Sequence, residues 1–329
     1  MKHLTLFATA FFLFVLGACE LEMEHVPVEE IEENENVVLF QKHTMGDGLM
    51  IVLLADGYED EVGTLYDMYD HLFLEPPYPH LRNYFDVIGI KGMANHDLGI
   101  TVQGSCYAAS ASGITDLVQN ILGLSSLNNA CIVVAVSPEL GAKRSIAYLY
   151  SNPQHTTLAL CSWSNYSDEY KTYILAHEVG GHCLAGLDDE YVEYDGEISN
   201  VGKSMIRTFQ QNGLFLNVSL SEKDVPWKEL MAEPAYQEKI SVIEGGSTYA
   251  KGVFRSSTYS LMSSSSFGFN AVSRYLIWSN IHNRAGCSST LDAFVDYDKM
   301  NIGNPQTRSY SATPLIPDSL RGVMVKLVE

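Results

Sequence analysis

The sequence predicts an α/β fold in which sheet and helix layers face each other. Apolar runs of strand length alternate with stretches whose apolar residues recur at three and four, the pattern of strands interleaved with amphipathic helices. Asp-Gly, Pro-Pro and a single proline punctuate these runs, and each ends an element instead of extending it.

The run "LMIVLLADGYED" at residues 49–60 is apolar up to Asp-Gly, so it forms a buried strand entering a turn. Residues 60–74, "DEVGTLYDMYDHLFL", have helical spacing and are stopped by Pro76 and Pro77. "YFDVIGIKG" is a second strand, "GITDLVQNILGL" a short helix, and "CIVVAVS" a third, β-branched strand ended by Pro138. "SIAYLYS" and "TTLALCSW" add two more strands, the first with polar interruptions suited to a sheet edge. Residues 170–186 form a helix. Beyond Tyr191 the pattern weakens into a long irregular region, with a short helix around "VPWKELMAE". "NAVSRYLIWSNIHNRAG" then has helical spacing with a stop at Gly286, and "LRGVMVKLVE" makes a closing strand.

The chain begins "MKHLTLFATAFFLFVLGAC", with a basic start, an apolar run and small residues before a cysteine. That is the layout of a cleaved export signal, too short for a spanning helix. "LGAC" resembles a bacterial lipobox, which implies that residues 1–18 are removed and that the Cys19 thiol is diacylated. Membrane attachment then comes from lipid alone. Residues 19–36 carry eight glutamates and no Lys or Arg, so they form an extended, self-repelling tether. An acidic segment in this place resembles the surface-export signal of Bacteroidetes lipoproteins. The implied location is the bacterial outer membrane, at the cell surface or facing the periplasm.

Of the formal net charge of −20, Lys2 contributes +1 and the tether −8, which leaves −13 on residues 37–329. An acidic body disfavours nucleic acid and anionic membrane surfaces as partners. These residues are enough for one domain, and no internal repeat or long linker divides them. Five cysteines follow Cys19, at positions 106, 131, 161, 183 and 287. Their odd number and wide spacing fit neither a disulfide scaffold nor a metal knuckle.

The chemistry concentrates in "HEVGGHCLAGLDDEY", residues 177–191. Zinc hydrolysis of an amide needs three protein ligands, an open position for water and a carboxylate beside that water. His177, His182, Glu178 and the acidic trio Asp188, Asp189 and Glu190 supply every type required. The spacing is unusual: zinc-peptidase helices read H-E-x-x-H, whose histidines four apart share a face, whereas these histidines are five apart. A π-bulge around residues 179–181 brings them back onto one face. Gly180 and Gly181 lie in that turn, where the lack of a Cβ makes irregular backbone least costly.

This segment resembles the active-site run of the IgA-peptidase family of zinc metallopeptidases, in a form carrying an extra glycine. "VLLADGYEDE", "YFDVIGIKG" and "FRSSTYSLMSSSS" followed by "NAVSRYLIW" share the likeness, which spans most of residues 48–286. The resemblance implies a zincin-like metallopeptidase domain over residues 37–329, with a mixed sheet, an active-site helix and a methionine turn. It implies one zinc ion on His177, His182 and Asp189, with Asp188 and Glu190 as alternative third ligands. Glu178 is the general base, and Met262 lies under the metal as an apolar floor. Tyr259 and Tyr249 precede the methionine turn and are candidates to stabilise the oxyanion. The edge strand "SIAYLYS" offers an extended peptide a place by strand addition.

The expected function is therefore hydrolysis of peptide bonds in extracellular proteins by a lipid-anchored zinc endopeptidase. The alternative is a catalytically inactive surface protein that binds glycoprotein on the same fold. Intact Glu178 favours the enzyme. "GEISNVGKS" at residues 196–204 approaches a phosphate-binding loop but has one intervening residue too many and no buried strand before it, so it is expected to be a loop.

Overall fold

The structure, a computed structural model, describes residues 34–302 except 142, 153, 154 and 165, together with the backbone of a strand at residues 324–328. The export segment, Cys19 and the tether as far as residue 33 lie outside the described residues. The fold is mixed α/β. In chain order its strands are β1 (Val37–Gln41), β2 (Leu49–Asp56), β3 (Phe85–Ile90), β4 (Thr101–Gln103), β5 (Cys106–Ala108), β6 (Cys131–Val136), β7 (Ile146–Tyr150) and β8 (Thr157–Ser162). There follow β9 (Val192–Glu197), β10 (Val218–Ser219), β11 (Ile243–Gly246), β12 (Thr248–Arg255) and β13 (Met324–Val328).

Seven strands make the main sheet, in the order β1-β3-β2-β6-β8-β7-β13. β3, β2, β6 and β8 are parallel, while β1 and β7 run antiparallel to their inner neighbours. Successive strand residues point to opposite faces, and both faces are covered. Ile51, Leu53, Val87, Val133 and Ala135 feed one core, while Val52, Leu54, Ile88, Ile132 and Val134 feed the other. That is why β2, β3 and β6 are apolar without alternation.

Helix α1 (Glu61–Leu72), capped by Asp60 Oδ1 on Gly63 N–H, packs Leu65, Met68 and Leu72 on the first face. Helix α2 (Ala111–Leu122) covers the second with Ile114, Val118 and Leu122, and stops at Gly123 with φ +68°. The helix carrying His177 and His182 lies on the first face, as α3 (Asp168–Ile174) continued by a π-helix, π1 (Leu175–Leu184). Four further helices follow: α4 (Asn200–Gln211), the short helix Lys228–Ala232 expected around "VPWKELMAE", α5 (Ala271–Arg284) and α6 (Leu291–Ile302). Among the described residues no helix is long and apolar enough to cross a membrane.

The structure corrects three expectations. β7 is not an open edge, because β13 pairs with it in parallel from Met324 opposite Ile146 to Val328 opposite Tyr150. The region after Tyr191 is ordered: β9, β11 and β12 with β10 make a second sheet. "GEISNVGKS" is no loop, since residues 200–204 open α4, where Ser199 Oγ caps Gly202 N–H.

Candidate metal centre

The site is built on π1. Widening of the helix spans all ten residues of Leu175–Leu184, more than the single turn expected at residues 179–181. It turns His177 and His182 toward each other, with ring centroids 4.9 Å apart. Contact requires glycine at 180 and favours it at 181. A Cβ on Gly180 would meet the Tyr78 ring at 2.7 Å, and one on Gly181 would meet Met262 Sδ at 2.3 Å. Tyr78 also donates from its hydroxyl to Gly180 O at 2.7 Å, which helps satisfy a carbonyl in the irregular turn. At the end of π1, Arg284 donates to Leu184 O at 3.0 Å and Asn280 to Ala185 O at 2.6 Å, so the last carbonyls are paired.

The acidic segment returns to the helix after Gly186, whose φ is +62°. It is held along its length. Asn217 accepts from Asp188 N–H and donates to Asp188 O, both at 2.8 Å. Glu190 N–H donates to Met262 O at 2.9 Å, Ser247 N–H to Asp189 O at 2.7 Å and Thr248 N–H to Tyr191 O at 3.1 Å. Ser247 and Thr248 lie at φ +48° and +68°, a strained backbone for residues with side chains. That turn between β11 and β12 aims two N–H groups at the acidic segment.

Asp189 is the carboxylate that reaches the histidines. Its Oδ1 stands 3.1 Å from His177 Nε2 and 3.5 Å from His182 Nε2. One atom from each of the three lies within 4.8 Å of the others. Glu190 points elsewhere: Asn217 and Asn270 each donate to it at 2.9 Å, and Asn270 also caps α5. Asp188 accepts Asp189 N–H on Oδ1 at 2.9 Å and lines a neighbouring cavity. Neither alternative third ligand therefore stands between the imidazoles.

The hydrogen bonds define the tautomers. His177 Nδ1 faces Leu261 O at 3.3 Å and His182 Nδ1 faces Leu187 O at 2.8 Å. A carbonyl only accepts, so each Nδ1 carries a proton and each Nε2 is turned to the third residue; in metal-free protein His177 Nε2, when protonated, donates to Asp189 Oδ1 at 3.1 Å. Two Nε2 atoms and a carboxylate oxygen thus converge in a buried space, and His182 Nε2 has no hydrogen-bond partner. A positive charge among them, a metal ion or a proton on an imidazole, offsets the repulsion between such acceptors. In metal-free protein the proton takes that part. For Asp189 burial favours the neutral form, but the two imidazoles outweigh it and hold the carboxyl below its usual range. For His182 burial opposes charge, yet Asp189 outweighs it and the pKa rises. His177 falls, because there burial prevails. The three residues fit a metal ion.

Glu178 is fully buried, and neither of its oxygens has a hydrogen-bond partner. Burial first, then the Asp189 charge, pushes its carboxyl well above the ordinary range. Met262 is fully buried, against Gly181. Tyr259 is not brought to the cluster: it is 64 % exposed, with its ring 4.9 Å from Phe267. Tyr249 lines the cavity beside Asp189. Asn217, Asn270, Tyr78 and the turn at residues 245–248 escaped sequence reasoning. Only the paired Gly245 and Gly246 signalled a tight turn there.

No family model matches the chain, and no curated protein matches it.

Proposed function

We propose that the chain is a zinc-dependent endopeptidase on a zincin-like domain, with π1 as its active-site helix and the turn at Met262 as its methionine turn. The observation that carries this reading is the convergence of His177 Nε2, His182 Nε2 and Asp189 Oδ1 in one buried cluster. Two imidazoles and one carboxylate suit zinc with a position left for water. When bound, zinc supplies Lewis acidity and a water that ionises near neutrality.

The chain's own groups do the rest. Leu261 O and Leu187 O hold both imidazoles in the ligating tautomer. The Glu178 carboxylate takes the water proton and passes it to the leaving amine nitrogen. Burial of His177, Glu178 and His182 excludes bulk water behind the reacting groups. The role of a protein anchored by lipid to the outer membrane, acting on extracellular protein, is part of the same proposal.

The test is digestion of a denatured protein by zinc-loaded wild type and Glu178→Ala. Cleavage by wild type should fall about 10²- to 10⁴-fold in the variant while zinc is retained. Cleavage that survives Glu178→Ala overturns the mechanism. Zinc binding without any cleavage would favour the inactive glycoprotein-binding protein instead. The unpaired buried carboxyl of Glu178 speaks against that alternative, because it costs stability and a binding module gains nothing from it.

A further inference from the structure

Next to the three clustered residues lies a half-open cavity of about 260 Å³, bounded by the acidic segment, β9, α4 and the turn leading into β12. Its depth is apolar: Ile206 and Phe215 are buried, at 3 % and 2 % exposure. Toward solvent stand Met205, Tyr194 and Tyr249, with the two tyrosine rings 5.7 Å apart. Its acidic end is made by Asp188 and Asp189. Asp189 is committed to the imidazoles.

Asp188 is not. It is 6 % exposed and its Oδ1 receives Asp189 N–H; the Ser247 side chain lies beside the carboxyl, but Oδ2 makes no hydrogen bond of ordinary geometry. The acid at the rim, Glu193, is already paired with Arg144. A buried carboxylate oxygen without a donor is costly unless a ligand completes it. A cavity with an apolar depth and the Asp188 carboxyl in its lining matches a side chain with an alkyl stem and a cationic tip. The tyrosine faces at the mouth attract the same tip, and the net charge of −13 on residues 37–329 draws basic peptides toward the protein.

We propose that this cavity is a specificity subsite for a lysine or arginine side chain next to the scissile bond, with the stem along Ile206, Phe215 and Tyr249 and the cation on Asp188 Oδ2. The assignment of the cavity to a peptide substrate rests on the zinc-peptidase reading. The complementarity of Asp188 to a cation does not.

Two readouts keep these claims separable. The first is kcat/KM of the zinc-loaded chain on peptides that differ at one residue, Lys, Arg, norleucine or Glu, with the cut located by mass spectrometry. The second is binding of labelled Lys and norleucine peptides to zinc-loaded Glu178→Ala. Both should favour the basic peptide on the order of 100-fold, and Asp188→Asn should remove most of that ratio. Met205→Lys, at a residue 38 % exposed on α4, places a cation at the mouth without disturbing the core and should lower the same ratio.

Cleavage with no preference for Lys or Arg overturns the subsite and leaves the peptidase standing. Selective binding of the Lys peptide, lost in Asp188→Asn but without cleavage by wild type, upholds the subsite and overturns the peptidase. A preference unchanged in both Asp188→Asn and Met205→Lys overturns the subsite, as does the absence of both cleavage and selective binding.

Discussion

Gly180 shows how a single residue sets the geometry of the site. A methyl group there would press on the fully buried ring of Tyr78, whose hydroxyl holds the carbonyl of the same glycine. Gly180→Ala should therefore destabilise the protein by about 1–3 kcal/mol, the usual effect of overpacking, measured by urea unfolding. Gly181→Ala should cost less, since its nearest neighbour is the end of the flexible Met262 side chain. An equal stability for wild type and Gly180→Ala would contradict this contact. The residues that cluster were legible in "HEVGGHCLAGLDDEY", because the expected metal chemistry calls for those types. The choice among Asp188, Asp189 and Glu190 was not, because it depends on partners far away in the chain. Asn217 and Asn270 claim Glu190, the β11 to β12 turn fixes the Asp189 carbonyl, and no local spacing announces either.

The acidic segment at residues 188–191 behaves as an element without regular secondary structure, held on both sides by hydrogen bonds. Burial pushes Glu190 within it up to about 7, against an ordinary 4.5. The folded protein thus binds a proton more tightly than the unfolded chain. In metal-free protein the resulting stability is fully present below pH 4.5 and is lost as pH rises through about 7. Glu190→Gln should flatten that part of the stability profile, and an unchanged slope would refute the assignment. The π1 widening could be anticipated because histidines five apart make no sense on a regular helix. Its extension over Leu175–Leu184 could not. Helix α4 was missed for a different reason: the glycine and lysine of "GEISNVGKS" suggested a loop. Val201, Met205, Ile206 and Phe209 nonetheless recur at helical spacing behind the Ser199 cap.

At the scale of the molecule, the order β3-β2-β6-β8-β7 places the start of α3 and π1 directly after the inner strand β8. The cluster therefore sits on a sheet face packed by α1, α5 and α6, not on a mobile loop. Strand positions were readable from apolar runs, since double burial requires them. Pairing was not: β13 meets β7 from the far end of the chain and closes an edge that looked available to substrate. For the proposed peptidase, this leaves the cavity beside Asp188 as the proposed place for a substrate side chain. Metal analysis of the purified chain, wild type beside Asp189→Ala, bears on the whole account. Wild type should carry stoichiometric zinc, and Asp189→Ala should lose it while keeping the far-ultraviolet circular dichroism of the fold. Full zinc retention in Asp189→Ala, or a wild type that takes up no zinc, would contradict it.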